Sequence, residues 1–212
     1  MVRLYEYRGK ELLKTVKIPV PEGYVASTPE EAEKAAEKIG KPVVVKAQIF
    51  ATGRFKAGGI KFADNPGEAR KVAEDLLGSE VKGMEVKKVL VEEKLDIDKE
   101  FYTGVIVDTS RNTQGPVLIF STVGGVGIEE AAREFPNKVA QMKVDYFRGV
   151  RTYDAYNLAL KLGVPRHLLR PLSVAICGIY EVFVKYEARS AEINPLVLTK
   201  DGKIIAADCR IT

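Results

Sequence analysis

Hydrophobic positions along the chain follow two rhythms. Ala32, Ala35, Ala36 and Ile39 recur at helical spacing behind Thr28-Pro29-Glu30-Glu31. There Thr28 can cap, Pro29 suits the first helical position and Glu31 completes a capping box. Gly40 ends that helix. Asn65-Pro66 opens a second, running through Ala69, Val72, Ala73 and Leu76 to Gly78. A third is predicted over residues 153–162, closed by Gly163. A fourth covers 168–186, apolar nearly all round with Pro171 in its first turn, and reads as a core helix. Between them lie short runs rich in β-branched residues, at 42–46, 86–92, 101–107, 117–122, 196–199 and 204–208. Several of these are close enough in sequence to be hairpins, so antiparallel sheet is predicted rather than a regular βαβ alternation. The class is α+β.

Composition closes some doors. With 46% hydrophobic and 29% charged residues, the 212-residue chain can fill a sizeable core, as one large domain or two small ones. The net charge of +4 is mildly basic, but lysine and arginine are interspersed with glutamate and aspartate. No basic run points to nucleic acid or to a membrane surface. No apolar stretch reads as long enough to span a bilayer. The start, Met1-Val-Arg-Leu-Tyr-Glu-Tyr, has neither a signal-peptide core nor transit character. Cys177 and Cys209 make no disulfide framework, so a reduced, cytoplasmic compartment is expected.

Four segments could carry chemistry. After Lys46 comes a loop holding Gly53, Arg54, Phe55, Lys56, Gly58 and Gly59, then Lys61. Glycines let backbone N–H groups approach an anion, and Lys46 at a strand end would add a point charge. The spacing matches neither a P-loop nor a Rossmann turn. A phosphate flap and a solvated glycine hairpin both remain open. Glu92 and Glu100, eight residues apart, could accept from ribose hydroxyls or an adenine amine, or could simply face solvent. Ser121-Thr-Val-Gly124-Gly125-Val-Gly127 leaves a strand and enters a helix-like stretch, a place for an anion or a tight turn.

The fourth segment is the last hairpin, from Glu192-Ile-Asn194-Pro195 to Asp208, with Asp201-Gly202 marking the turn. If the loop is Lys200–Gly202 with Gly202 left-handed, Thr199 faces Lys203 and Asn194 falls opposite Asp208. Two hard oxygen ligands would then share one face, which suits Mg²⁺ completed by phosphates and water. A two-residue loop would slip the register by one and undo this. The single histidine, His167, reads as a helix-entry residue.

Together these residues resemble the nucleotide-binding part of succinyl-CoA synthetase β subunits. The resemblance rests on Leu4-Tyr-Glu-Tyr with Lys10-Glu-Leu-Leu; on Val45-Lys46, Gly53-Arg54 and Lys56-Ala-Gly58-Gly59; and on Leu90-Val-Glu92 with Lys99-Glu100. Ser121-Thr, Gly124-Gly125-Val, Ile128-Glu129, Leu160-Lys-Leu-Gly163 and Glu192-Ile-Asn194-Pro195-Leu complete it in order. It runs through essentially the whole chain.

The resemblance implies an ATP-grasp fold of two subdomains, a smaller lid over residues 21–104 and a larger base from 1–20 and 105–212. Lys46, Gly53, Arg54, Phe55, Glu92, Leu95 and Glu100 would line a site for ATP or GTP. Asn194 and Asp208 would bind Mg²⁺, and Glu192 would gate or orient near the metal as the catalytic candidate. Enzymes of the family join a carboxylic acid to coenzyme A while splitting the nucleotide to NDP and phosphate, by way of a phosphohistidine on a partner α subunit. Malate–CoA ligases, ATP-citrate lyase segments and a non-catalytic nucleotide sensor share enough of the pattern to stand as alternatives. This chain has Thr52 and Phe55 where the family has glycine, and Phe50 where it often has histidine. Family β subunits continue past the Asp208 position into a flavodoxin-like domain, absent from this chain. The expectation is therefore a part that binds nucleotide without completing the reaction.

Overall fold

The computed structural model describes residues 3–110 and 114–212. The first two residues of the N-terminal reading lie outside them. In chain order the elements begin with α1 (Glu6–Thr15), β1 (Gly23–Ala26), α2 (Pro29–Ile39), β2 (Val43–Ala47), β3 (Ile60–Ala63), α3 (Pro66–Leu76), the short pair β4 (Glu80–Val81) and β5 (Met84–Glu85), and β6 (Val89–Glu93). They continue with β7 (Ile97–Asp108), β8 (Gly115–Ser121), α4 (Ile128–Glu134), β9 (Val139–Lys143), α5 (Thr152–Lys161), α6 (Arg166–Lys185), β10 (Ser190–Thr199), β11 (Ile204–Ala206) and β12 (Cys209–Ile211). Every strand pairing is antiparallel, and the α+β class stands.

The chain divides into two compact units, Pro21–Leu95 and the combination of Met1–Val20 with Asp96–Thr212. The boundary expected at 104/105 would fall inside β7, a continuous strand paired with β10 on one side and β8 on the other. A strand held on both edges moves with its sheet, so all of it belongs to the second unit.

In Pro21–Leu95 a four-stranded sheet, ordered β1-β6-β2-β3, is backed on one face by α2 and α3. Thr28 caps α2 by accepting from the Glu31 N–H (3.2 Å), and Gly40 closes it at φ 67°. Glu31 reaches back one residue further than a capping box requires, accepting from the Ser27 N–H (2.7 Å). Asn65 caps α3 through the Glu68 N–H (2.9 Å). The core is alanine and valine: Ala32, Ala35, Ala69 and Ala73 of the helices against Val43, Val45, Ala47, Val89 and Val91 of the strands. Small helix residues let the layers lie close.

In the second unit a sheet ordered β11-β10-β7-β8-β9, with β12 also on β10, packs one face against α1, α5 and α6. Leu172, Ile176, Ile179 and Val182 of α6 are fully buried there. Contrary to the reading that no stretch reaches spanning length, α6 is long and apolar enough to cross a membrane by length and composition. Its inward residues are instead spent on this core. The other face of the sheet carries Tyr102, Val117 and Ile119 as a small second cluster, and beside it the polar residues described next.

Candidate functional site

On β2, alternation sends Val43, Val45 and Ala47 into the helix-backed core and leaves Val44 and Lys46 on the other face. Val44 pairs with Glu92 of β6, and Lys46 with Leu90. Lys46 and Glu92 are thus diagonal neighbours on that face, and they meet as an ion pair of 2.8 Å with side chains only 9% and 1% exposed. A carboxylate this deeply buried persists because it is paired. Gly23 of β1, opposite Glu92, makes room for it: a Cβ there would stand 2.6 Å from Glu92 Cγ.

The loop between β2 and β3 is folded back on the strand it leaves. The buried Arg54 guanidinium donates to the Ala47 carbonyl (3.0 Å), and the Gly59 N–H donates to the Arg54 carbonyl (2.8 Å). Gly53 adopts φ 65° beside the Lys82 ammonium. Phe55 is exposed and meets Phe62 edge to face at 6.5 Å. Leu95, half-buried, ends this unit.

The remaining predicted residues, Glu100, Glu192, Asn194 and Asp208, lie in the second unit. The last hairpin turns through Lys200–Gly202: the Gly202 N–H donates to the Thr199 carbonyl (2.9 Å), the Thr199 N–H donates to the Lys203 carbonyl (2.9 Å), and Gly202 has φ 83°. The ladder runs from Leu198 opposite Ile204 to Glu192 opposite Arg210 in a single register. Asn194 therefore stands opposite Asp208, and its N–H donates to the Asp208 carbonyl (3.0 Å). This is the pairing counted from a three-residue turn.

The Asn194 side chain joins the hairpin to the glycine loop. Its Oδ1 accepts from the Gly125 N–H (2.8 Å) and its Nδ2 donates to the Val126 carbonyl (2.8 Å). The loop lies directly on β7. A Cβ on Gly124 would be 2.5 Å from the Phe101 carbonyl oxygen, and one on Gly125 would be 2.3 Å from Glu100 Oε2. Glu100 stands within β7, which begins at Ile97 rather than at residue 101 as the pattern predicts.

Glu192 accepts from the Tyr102 hydroxyl (3.1 Å) and pairs with Arg210 (2.7 Å). Burial raises its carboxyl above the ordinary glutamate value, while Arg210 and the Tyr102 hydroxyl pull it back. Burial, and then the Glu192 charge, push the Tyr102 phenol up. Tyr102 and Arg210 were not among the predicted residues. The signal was present in the period of two: Tyr102 follows Glu100 by two positions, and Arg210 follows Asp208 by two.

As a metal site, the donor set fits. Asn194 and Asp208 offer hard oxygens, and an amide oxygen that accepts one N–H keeps a second lone pair. Among the described residues no group of three or more His, Cys, Asp or Glu could hold an ion unaided. The pair suits an ion that brings water and phosphate as most of its shell.

Compared with known proteins, the chain is 45% identical over 210 residues to the β subunit of GDP-forming succinate–CoA ligase from Thermus thermophilus, a match covering 99% of this chain and 55% of that protein. It is 42% identical over 218 residues to the ADP-forming β subunit from Persephonella marina, covering 99% and 56%. The chain thus spans about half the length of the curated relatives it matches. Among solved structures, dinucleotide-forming acetyl-coenzyme A synthetase 1 from Ca. Korarchaeum cryptofilum, in complex with coenzyme A and Mg-AMPPCP, has a TM-score of 0.72 at 23% identity, covering 99% of this chain and 92% of that one. ATP citrate lyase from Methanothrix soehngenii has a TM-score of 0.70 at 19% identity, covering 99% and 50%. Both share the fold. The ATP-grasp domain profile matches residues 3–198, most of the chain, and the chain therefore belongs to the ATP-grasp domain proteins.

Proposed function

We propose that the chain is the nucleotide-binding part of the β subunit of an NDP-forming acid–thiol ligase of the succinate–CoA type, working in the cytoplasm. The observation that carries this reading is the register that sets Asn194 opposite Asp208 with the glycine loop clamped to Asn194. The likeness to succinate–CoA ligase β subunits supports the reaction class, and the Mg-AMPPCP of the Korarchaeum neighbour supports nucleotide and metal.

Lys46 supplies the point charge for the nucleotide phosphates, and Arg54 with the N–H groups around Gly53 and Phe55 shapes the loop beside it. Glu92, Leu95 and Glu100 complete the nucleotide contacts. Asn194 and Asp208 would hold Mg²⁺, which when bound would neutralise phosphate charge for in-line transfer. Glu192, held by Tyr102 and Arg210, orients groups beside the metal. The γ-phosphoryl group passes to a histidine of a partner α subunit and the nucleoside diphosphate leaves. Relatives are GDP-forming and ADP-forming alike, so the reading extends to ATP or GTP.

The test is calorimetric titration of ATP·Mg²⁺ into wild type, Asp208→Ala and Lys46→Ala. Each variant is expected to bind at least tenfold more weakly, a loss of about 1.4 kcal/mol or more. Unchanged affinity in both overturns the reading. Pairing the complete β subunit with its α subunit then separates succinate from malate and citrate by which acid is consumed. Binding without phosphoryl transfer to any α subunit would mark a nucleotide sensor.

A further inference from the structure

α1 carries a buried ion pair that the nucleotide reading does not use. Lys10 Nζ lies 2.8 Å from Glu6 Oε1, one helical turn away, and the two side chains are 4% and 2% exposed. Pairs at this spacing are ordinarily solvated and worth a few tenths of a kcal/mol. This one faces into the protein. Burying both charges is not an economical way to gain stability, since an apolar pair of similar size commonly does as well. A placement role explains the charges better.

A second contact of Lys10 shows what is placed. Its ammonium donates to the carbonyl of Ala207 (2.7 Å), the residue before Asp208. Ala207 and Asp208 form the gap between β11 and β12. From β10 the gap is held by the Ala207 N–H donating to the Pro195 carbonyl (3.1 Å) and the Asn194 N–H donating to the Asp208 carbonyl (3.0 Å). From α1 it is held by Lys10. The helix is seated closely enough for this because residue 9 is glycine: a Cβ there would be 2.7 Å from Cys209 Sγ. The Cys209 thiol in turn donates to the Glu6 carbonyl (3.6 Å), and the Leu4 N–H donates to the Ile211 carbonyl (3.1 Å).

We infer that Lys10, steadied by Glu6, is a positioning residue for the metal site: by fixing the Ala207–Asp208 peptide it sets where the Asp208 carboxylate stands. This rests on the proposed metal role of Asn194 and Asp208. Partners that orient ligands from behind tune metal affinity without touching the ion.

The experiment uses the 212-residue chain and reads ATP binding as a function of Mg²⁺ concentration. Glu6→Gln/Lys10→Met removes both charges at nearly constant volume. Its Mg²⁺ midpoint is expected to rise about tenfold, while ATP affinity without Mg²⁺ and the far-UV circular dichroism stay as in wild type. Lys10→Arg keeps a cationic donor and is expected to stay near the wild-type midpoint. An unchanged midpoint in the folded double variant overturns the inference. So does a parallel loss of metal-free ATP affinity, which would mark a general structural role. If the double variant does not fold, Glu6→Gln alone carries the test: its midpoint is expected to rise, and no rise overturns the inference. Asp208→Ala is run alongside. If its midpoint matches wild type, the metal reading itself has failed and the positioning role falls with it. If Asp208→Ala shifts and the Glu6 and Lys10 variants do not, only the positioning role fails.

Discussion

In Pro21–Leu95 two buried charges of the sheet face, Lys46 and Glu92, meet directly as an ion pair. In the second unit buried charge is spread over a network, with Glu192 shared between Tyr102 and Arg210 and the Asn194 amide spanning the glycine loop. The two arrangements suit different tasks. An ion pair between neighbouring strands fixes a lysine against one carboxylate at a set place on the sheet. A network mixes neutral and charged members, so the loss of one leaves the rest partly satisfied. In the second unit a buried carboxylate, Glu192, thus stands near the proposed Asn194–Asp208 pair with a neutral donor, Tyr102, beside its counter-charge Arg210.

The sharpest way to break this comparison is to remove one partner of the ion pair. Lys46→Ala leaves the Glu92 carboxylate almost fully buried and is expected to cost about 3–5 kcal/mol of stability. Lys46→Ala/Glu92→Gln should recover most of that in urea unfolding while ATP binding stays weak. If the double variant is as unstable as the single, the loss lies in packing rather than in the buried Glu92 charge.

A glycine gives the next largest effect, in the other unit. Gly124→Ala sets a methyl group 2.5 Å from the Phe101 carbonyl oxygen, a backbone atom of a central strand that cannot step aside cheaply. The cost is expected at about 1–3 kcal/mol, with weaker ATP·Mg²⁺ binding as the loop lifts from Asn194. Equal stability of wild type and variant would mean that the loop is not seated on β7.

These contacts also separate what the chain's pattern disclosed from what it hid. The helix starts at Thr28 and Asn65 were legible because capping is local, a side chain and a backbone N–H three residues apart. The Asn194–Asp208 register was legible because a three-residue turn with a left-handed glycine fixes the count along the whole hairpin. The first residues of β7, Ile97-Asp-Lys-Glu100, read as loop because they are polar and largely exposed. They are strand only because β10 pairs with them. β1 and β9 were hidden for the same reason: Gly23–Ala26 and Val139–Lys143 are weak strands alone and owe their form to β6 and β8. Glu92 and Lys46 each stood out as candidates, but not as each other's partner. That follows from the β2–β6 register, which no local spacing encodes.

The smallest effect asked of the network is a pH dependence, and its expected sign follows from burial being the largest cause. The Glu192 carboxyl is raised from the ordinary value of 4.5, by burial first, with Arg210 and the Tyr102 hydroxyl acting the other way. Over the window that begins near that value, the native state holds a proton the unfolded chain has already lost. Stability therefore declines as pH rises through the window and levels off once the folded carboxyl has ionised. Glu192→Gln carries no such proton. The unfolding free energy of wild type, measured relative to the variant by urea denaturation, should fall across this acid window and run flat on either side. Parallel curves at every pH would mean that Arg210 and Tyr102 fully offset the burial. A rise with pH would mean that they outweigh it, and the network would then favour the ionised form of Glu192.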